Sequence, residues 1–575
     1  MARATLSGRP DAGAVACAEG AARARAAPSQ PRPSSDRERR PRGRSPPLSR
    51  PRETAALTGA EVASVLLPAL ISPQIRSIAK ALARTSKTPE KAATYALHLH
   101  ALTGRLFAPG GWSAAMVRVS AEPWSTGRAR PFDESTLRKA ARAMSAKGAV
   151  RLAEKALETQ VDRAVGAQDV TAFTDVYDQV YWTQKPSWAA PIGSLGNRIL
   201  ACVYFGMSFV RTSDGPLLAL HVSWHKPAST LLDSLEALHA DRARHRWLSA
   251  HVRVHVLDRG TQGDPALRWA WTQGIPYLTL TRGHLHWRRF KGPDAHTASG
   301  VPIFVRRDVR LADCEGTQGR ATEPQVIVFP SRPEEGEENG ESLGYRTAAA
   351  LGKPEIETLN KVYKARWPNN ENPIKGLVGV GFDRNLDRTL DPMSSRGADG
   401  AVRAAQAELN AINEQIAPLR GRPVGEVASE YLMLEKQQGK KIAKLAAKEA
   451  EQAEEAVGSK GTRADRGGEH LCKVLMLLLF NALSLLLWKS PIAAVRSLTP
   501  PRLRDLLLGC SALGVLARGR VSLYVERLPD PNDRSLQCEL VRLINAERLR
   551  GPAGLVEIRI RDPALSSLTM RISTA

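Results

Sequence analysis

The sequence lacks the features that mark disulfide-bonded, secreted or membrane-spanning proteins. Its 575 residues include six cysteines, which lie far apart and form no CxxC pair, so a disulfide framework and a cysteine-based zinc site are excluded. No secretory signal precedes the first predicted element. The longest apolar run, Val474 to Trp488, is shorter than the roughly 20 residues of a membrane span. We predict a cytoplasmic protein with no membrane segment and a buried helix at this run.

Acidic residues are in deficit. The chain has 82 Lys and Arg against 58 Asp and Glu, a net charge of +24, and this excess favours polyanionic partners, above all nucleic acid. High-GC coding, which enriches Arg and Ala whatever the function, is the alternative source of part of the excess. Aromatic residues make up only 5%, but 43% of the residues are hydrophobic, which is enough for roughly two to four domains with a large core.

The first 57 residues are rich in Arg, Ala, Pro and Ser. A segment of this composition buries too little apolar surface to offset the entropy lost on ordering, so we predict a disordered arm over 1–57. This arm either binds phosphates as a basic tail or is upstream sequence translated from an early start codon, which is the interpretation we favour.

Residues 58–166 have a helical pattern, which predicts a DNA-binding domain. The stretch beginning at Asp133 has apolar residues at three- to four-residue spacing behind capping side chains. Its other face is basic and includes Arg138, Lys139 and Arg142. A basic amphipathic helix suits docking in the DNA major groove, and a solvated helix face is the alternative.

An α/β pattern begins at Val170. Strands are predicted over 170–175, 199–210 and 217–225, followed by a helix over 229–245 and a strand of alternating valines over 252–256. Asp175 ends the first of these strands and Asp258 follows the last, and chemistry collects at the carboxyl ends of strands in open α/β sheets. Asp178 is the alternative to Asp175, which is preferred because the apolar run VTAF leads directly to it.

This order of strands and helix is the opening of a ribonuclease H-like fold. We therefore predict an α/β protein whose ribonuclease H-like mixed-sheet core occupies 167–395. A β-rich insertion is predicted at about 262–352, with strands in 301–313 and 324–331, and a helix follows over 355–367. Two regions complete the chain, long charged helices over 396–470 and a C-terminal helix with a small α+β module over 471–575.

The helix after the insertion carries four polar residues at roughly one-turn spacings: Tyr363, Arg366, Glu371 and Lys375. Together with the two strand-end aspartates, this pattern resembles the DDE transposases of bacterial insertion sequences, specifically the insertion-sequence-4-like group with a β insertion. That group has an Asp on the first strand, an Asp followed by Arg-Gly on the fourth, and a Tyr–Arg–Glu–Lys signature on a late helix. The resemblance spans about 170–395 and extends more loosely to the C-terminal regions.

The resemblance implies three carboxylates that bind Mg²⁺ or Mn²⁺: Asp175, Asp258 and Glu371. It also implies three side chains that contact DNA phosphates near the cleavage point: Tyr363, Arg366 and Lys375. Cleavage of a phosphodiester in line uses two divalent ions about 3.5–4 Å apart, which bridging carboxylates hold together. Mg²⁺ prefers such oxygen ligands to nitrogen or sulfur.

The spacing departs from the family pattern at one place. Four residues separate Arg366 from Glu371 where the family usually has three, so that Asn370 occupies the expected register, and Lys375 lies closer to Glu371 than the corresponding lysine does. Pro368 is expected to break or reset the helix so that Glu371 still turns inward. Otherwise the site lacks its third carboxylate and the chain is inactive.

Three further residues are predicted to contact DNA: Arg259, Trp287 and Arg288. Arg259 directly follows Asp258. The other two lie in the insertion, where an indole ring can stack on an unpaired base while a guanidinium holds its phosphate, as in single-strand binders. A plain basic strand is the alternative interpretation of that pair.

The function that the resemblance implies is that of a DNA transposase. It would nick DNA at terminal inverted repeats and use the freed 3′-hydroxyl to attack a phosphodiester of target DNA, acting as a homodimer or larger assembly. Two alternatives remain. One is a catalytically inactive, transposase-derived DNA-binding protein, and the other is a ribonuclease H-like nuclease without a strand-transfer step.

Overall fold

Alternation of apolar residues in the middle of the chain builds a ten-stranded mixed sheet, and the chain is of the mixed α/β class. A computed structural model describes these residues: 53–106, 126, 131–181, 191–195, 198–225, 231–258, 264–280, 295–296, 302–306, 325–330, 342–347, 361–382, 388–392, 396–419, 424–458, 460–464, 466–507, 512–517 and 519–561. The predicted disordered arm lies outside the described residues except for its last five.

The strands in chain order are β1 (Glu53–Leu57), β2 (Val170–Tyr181), β3 (Pro191–Leu195), β4 (Arg198–Thr212), β5 (Leu218–His225), β6 (Val252–Leu257), β7 (Tyr277–Leu280), β8 (Ala295–His296), β9 (Pro302–Arg306), β10 (Gln325–Pro330), β11 (Ser342–Thr347), β12 (Arg388–Pro392), β13 (Lys460–Ala464), β14 (Ala512–Ala517), β15 (Arg520–Glu526), β16 (Arg550–Gly551) and β17 (Gly554–Arg561).

The helices are α1 (Gly59–Leu70), α2 (Ser72–Thr85), α3 (Ala92–Leu106), α4 (Glu134–Ala146), α5 (Ala149–Val165), α6 (Leu231–His239), α7 (Arg242–His251), α8 (Asp264–Thr272), α9 (Asn372–Gly379), α10 (Arg396–Ile416), α11 (Val424–Gly458), α12 (Arg466–Trp488), α13 (Ala493–Arg496), α14 (Pro500–Leu507) and α15 (Pro531–Ala546). Residues 361–366 are also largely helical and run into a π-helical segment, Trp367–Glu371, which we call the π turn.

Five strands form the part of the sheet that positions the site. β4 lies between β5 and β2 and is antiparallel to both, whereas β2, β6 and β7 are parallel neighbours. The strands predicted over 199–210, 217–225 and 252–256 are confirmed as β4, β5 and β6. β2 does not end at Asp175 but continues to Tyr181, because residues 176–181 keep pairing with β4.

The predicted helix over 229–245 is wrong as a single element. It is two helices, α6 and α7, with a break at Asp241. The side chain of Asp241 accepts hydrogen bonds from the backbone N–H groups of Ala243 and Arg244, at 2.8 and 3.0 Å, and so caps the start of α7. The cap directs α7 back toward the start of β6.

The described strands of the insertion extend the central sheet. β7, which falls inside the predicted insertion, pairs in parallel with β6 and therefore belongs to the core. β11 pairs antiparallel with β7, and β10, β9 and β8 continue the sheet outward. Pairing with β11 covers the edge of β7, so the described strands from β7 to β11 form one continuous sheet with β6.

A single apolar helix, α12, lies at the centre of the packing. Among the described residues, its segment Gly467–Trp488 is the one continuous helix long and apolar enough to cross a membrane, and most of it is buried inside the protein. α1 and α2 reach a comparable apolar length only together, and they are bent by 69° relative to each other. The prediction of a buried helix is confirmed. The side-chain oxygen of Asn481 accepts a hydrogen bond from Ala219 N, at 2.7 Å, and its amide donates to Ala219 O, at 2.9 Å, so the polar residue ties α12 to β5.

The two ends of the described chain share one core. β1 pairs antiparallel with β14 in a second, five-stranded sheet of order β1-β14-β15-β17-β16. Residues of α1–α5, α12 and this sheet pack into one hydrophobic cluster that runs from Leu57 to Ile558. The boundaries predicted at 57 and 471 therefore do not separate packing units, and Glu53–Leu57 of the predicted arm is a strand. α10 and α11 form an antiparallel hairpin, in which Lys441 contacts Glu408 and Gln438 contacts Asn413.

Candidate active site

The guanidinium of Arg366 contacts three carboxylates that come from different parts of the chain. Its Nη1 lies 3.2 Å from Asp175 Oδ2, and its Nη2 lies 3.1 Å from Asp258 Oδ1 and 2.5 Å from Glu371 Oε1. Arg366 is only 6% exposed. Because two of these carboxylates share one nitrogen atom, their contacting oxygens are no farther apart than the sum of those two distances. All three residues that the resemblance implies as metal ligands thus converge on one point.

The pairing of β2 with β6 places the two aspartates side by side. Thr174 and Leu257 are partners in this parallel register, and Asp175 and Asp258 are the next residues along each chain. One residue back, Thr174 Oγ1 lies 2.7 Å from His255 Nε2 and 2.8 Å from Ser208 Oγ. These buried side chains join β2, β4 and β6 directly behind the two aspartates, which fixes the backbone from which they project.

The π turn carries the third carboxylate. With 3.6 residues per α-helical turn, a residue five positions after Arg366 would lie well round the helix from it. A π turn is wider by one residue, and here the N–H of Asn372 donates to the carbonyl of Trp367, five residues earlier. Pro368 has no N–H to continue the α-helical pattern. The extra residue between Arg366 and Glu371 is therefore absorbed, and the two side chains meet.

A side-chain hydrogen bond attaches the π turn to the sheet. Asn369, near the middle of the turn, is 5% exposed, and its side-chain oxygen accepts a hydrogen bond from Arg211 Nη1 of β4 at 3.0 Å. Arg211 is itself held, since its Nε donates to the carbonyl of Gly215 at 3.2 Å. Neither residue was singled out from the sequence, where an Asn next to Pro suggests only a turn.

The remaining signature residues surround Arg366. Tyr363 is buried, and the Arg366 Cζ atom lies 5.8 Å from its ring centroid. Lys375 is 69% exposed, with its Nζ 3.8 Å from Glu371 Oε2. Trp367, which sequence reasoning passed over, is 52% exposed, and Lys375 Nζ lies 5.5 Å from its ring centroid. Its position between Arg366 and Pro368 could have indicated an exposed indole, because a tryptophan in such a charged turn does not belong to an apolar helix face.

Asp175 and Arg366 have the perturbed pKa values expected of charged groups that share a partly buried cluster. Burial, followed by the neighbouring charge of Asp258, raises the pKa of Asp175 to about 6. Burial lowers the pKa of Arg366, but Asp258, Tyr363 and the other two carboxylates outweigh burial and leave the pKa raised. The guanidinium thus supplies the positive charge around which the carboxylates gather.

The chemistry of the donor set fits a divalent cation, because carboxylate oxygens are hard ligands that suit Mg²⁺ and Mn²⁺. Across the described ranges, however, no three His, Cys, Asp or Glu side chains are arranged to hold a metal ion. Asp175, Asp258 and Glu371 contact Arg366 instead. The residues that would hold a metal ion are present in one place, with a cationic side chain among them.

The other predicted DNA-binding residues lie elsewhere or outside the described part of the chain. α4 buries Leu137, Ala141 and Met144 and packs against α12. Arg138 pairs with Glu134 at 2.5 Å, Arg142 is half-buried, and Lys139 is exposed on the outer face of the helix. Arg259, Trp287 and Arg288 lie outside the described residues, as does the side chain of Asp178, whose backbone belongs to β2.

Comparison with known proteins leaves the assignment to the geometry. Neither a search of protein-family models nor a search of curated proteins finds a match to this chain. The arrangement of Asp175, Asp258, Glu371 and Arg366 is therefore the basis for a functional assignment.

Proposed function

We propose that this chain is a DNA transposase with a ribonuclease H-like catalytic domain, which cleaves and joins phosphodiesters at the ends of a mobile element with Mg²⁺ or Mn²⁺. One observation carries the proposal. Asp175, Asp258 and Glu371 are 83 and 113 positions apart along the chain, yet all three contact the same guanidinium.

The strand arrangement supports the fold part of the proposal. Three antiparallel strands, a helical connection and a strand that returns in parallel beside the first place the two Asp-bearing strands next to each other. This adjacency is what a ribonuclease H-like sheet needs for its two aspartates to share metal ions. The mixed sheet continues into β11 through β7, which is consistent with an insertion at that edge.

Each residue of the cluster has a role in the proposed reaction. Asp175, Asp258 and Glu371 would hold the divalent ions, whose chemistry there would be activation of a water molecule and stabilisation of the leaving oxygen. Arg366 has the planar donor pair that binds a phosphate bidentately, and Lys375 offers an exposed point charge beside it. The ring of Tyr363 lies against the guanidinium, with its centroid 5.8 Å from Arg366 Cζ. These donors orient the DNA backbone so that one phosphodiester faces the carboxylates.

The partners in this proposal are the element's terminal inverted repeats and target DNA. The net charge of +24 suits a polyanion, and Lys139 stands on the exposed face of α4, the helix with the basic surface. We infer that the α4 face helps to read the repeats and that a homodimer or larger assembly bridges two ends. The protein would act in the bacterial cytoplasm, at the nucleoid.

A catalytically inactive DNA-binding protein is the second candidate. It is favoured by the position of Arg366, whose guanidinium occupies the point where the three carboxylates meet. In such a protein the arginine would be a permanent structural counter-ion. The one-residue shift of Glu371, which suggested inactivity from the sequence, no longer favours this candidate because the π turn absorbs it.

The experiment uses the full chain and end-labelled duplexes taken from the DNA that flanks the reading frame on each side. Nicking and joined products are followed with Mg²⁺, with Mn²⁺ and with a chelator. Wild type should nick and join only with metal, and Asp258→Asn should lose both. Asp505→Asn, a surface carboxylate 54% exposed and paired with Arg504, is the matched control.

Nicking without joining would indicate a nuclease, and salt-sensitive binding without nicking would indicate the inactive protein. Unchanged cleavage by Asp258→Asn would overturn the proposed site.

A further inference from the structure

The π turn needs a contact from outside its own helix. π-helical turns are rare and appear mostly as single turns inside α-helices, often at functional sites. Here the turn reverts to α-helix at once, since α9 begins at Asn372. A shift of the turn back to α-helical geometry would rotate Glu371 away from Arg366. We therefore expect a contact from outside the helix to stabilise the π-helical geometry.

The contact that does so comes from β4. Asn369 is 5% exposed and accepts a hydrogen bond from Arg211 Nη1 at 3.0 Å. The other side of the Arg211 guanidinium donates from Nε to Gly215 O at 3.2 Å, in the turn that follows β4. These two contacts restrain the guanidinium, so a shift of the helix would cost at least one of them.

The sheet register fixes where this contact acts. Arg211 is the β4 partner of Thr171 in β2, and Met207 of the same strand is the partner of Asp175. The strand that anchors the π turn is therefore paired directly with the strand that carries the first carboxylate. A shift of the π turn away from β4 would therefore stretch the Arg211–Asn369 hydrogen bond.

We propose that Arg211 and Asn369 form a positioning pair, which holds the π turn in place and so directs Glu371 toward Asp175 and Asp258. The role rests on the proposed function, because it takes Glu371 as a metal ligand. Neither residue contacts the three carboxylates in the described structure, and each acts through the turn. Outer contacts of this kind typically change metal affinity by about 10–100-fold when they are removed.

The test uses the full chain and Mn²⁺ alone as the probe, measured by calorimetric titration. Asn369→Ala and Arg211→Ala should each weaken Mn²⁺ binding about 10–100-fold. The double variant should lose no more than either single variant, since both remove the same hydrogen bond. Asn369→Asp keeps an acceptor oxygen for Arg211 and adds a negative charge near the site, so it should bind Mn²⁺ at least as tightly as wild type. Asn413→Ala removes a similar hydrogen bond, from Gln438 at 2.6 Å on the exposed hairpin, and should leave Mn²⁺ binding unchanged.

Hydrogen exchange of residues 366–372 gives a second readout that does not depend on metal. Exchange there should be faster in Asn369→Ala and in Arg211→Lys, which keeps the charge but not the two-point contact, and should return to the wild-type rate in Asn369→Asp. Wild-type exchange rates in the first two variants would overturn the inference. Wild-type Mn²⁺ affinity in Asn369→Ala would also overturn the inference, but it would not affect the proposed function. Two results would overturn both the proposed function and the role of the pair. One is that wild type binds no Mn²⁺, and the other is that the Asp258→Asn variant binds Mn²⁺ as tightly as wild type.

Discussion

Arg366 and Glu371 are in direct contact, with Nη2 2.5 Å from Oε1, although their spacing in the sequence is one residue too long for neighbours on an α-helix. The π turn between them adds one residue to the helical turn and so brings the two side chains into contact. It also brings Glu371 to the aspartates of β2 and β6, so that a site which looked defective in the sequence has its third carboxylate in place.

Removing the guanidinium should leave three carboxylates without their counter-ion. Arg366→Gln is expected to lower the free energy of unfolding by about 1–3 kcal/mol, less than for a fully buried pair because the carboxylates are partly exposed. If divalent ions bind the same carboxylates, Mg²⁺ should restore more stability to this variant than it adds to wild type. Urea unfolding with and without Mg²⁺ measures both effects.

Arg520→Gln is the control for that experiment, because Arg520 is 55% exposed and pairs with Glu557 at the surface. It should change the free energy of unfolding by less than about 1 kcal/mol, with no dependence on Mg²⁺. Equal effects of the two substitutions would contradict the role of Arg366 as the counter-ion of the cluster.

Trp367 should matter for DNA rather than for folding. It is 52% exposed, so Trp367→Ala is expected to change stability by no more than about 0.5 kcal/mol. Its ring lies beside Arg366 and Lys375, where, under the proposed function, a DNA base next to the bound phosphate would stack on it. Loss of such stacking costs about 1–3 kcal/mol per base, measured as weaker binding of a short single strand by fluorescence anisotropy. Leu432→Ala, at an exposed position of α11, should bind like wild type, and equal binding by Trp367→Ala would argue against this stacking surface.

His255 should make the protein less stable in acid. Burial, and to a smaller extent the charge of His239, lowers the pKa of His255 to about 3. The unfolded chain therefore binds a proton between about pH 6.5 and 3 that the folded protein does not, and stability falls as the pH drops through this window. The slope contributed by one such group is at most about 1.4 kcal/mol per pH unit.

His255→Gln keeps a hydrogen-bond partner for Thr174 and removes the titration. We expect a shallower loss of stability between pH 6.5 and 4 than in wild type, measured by urea unfolding at a series of pH values. Parallel curves for the two proteins would show that His255 takes up its proton without unfolding.

Asn481 should stabilise the packing of α12 on β5. Asn481→Leu leaves the N–H and C=O of Ala219 without the partners that they have at 2.7 and 2.9 Å. Because both groups are buried, we expect the free energy of unfolding to fall by about 1–3 kcal/mol. The exposed pair on the hairpin provides the comparison, since Gln438→Leu should cost far less. A variant at Asn481 as stable as wild type would mean that water or another group replaces the amide.

Local patterns in the sequence were sufficient for the individual elements near the site. The alternating valines that precede Asp258 and the apolar run before Asp175 predicted β6 and the start of β2, because the period of two is a property of each strand alone. The end of β2 was missed because the apolar run before Asp175 predicted a strand that ends there, whereas the Val- and Tyr-rich residues that follow also pair with β4 as far as Tyr181. The break between α6 and α7 depended on one capping side chain, Asp241, inside an otherwise continuous helical pattern.

The sequence by itself determined which residue types are available: two aspartates at the ends of apolar runs, and a tyrosine, an arginine, a glutamate and a lysine on one late helix. Only the tertiary structure decided that they meet. Parallel pairing of β2 with β6 aligns the aspartates, and the hydrogen bond from Arg211 to Asn369 holds the wider turn that directs Glu371 toward them. Both are contacts between residues far apart in the chain, and a local sequence pattern does not predict such contacts.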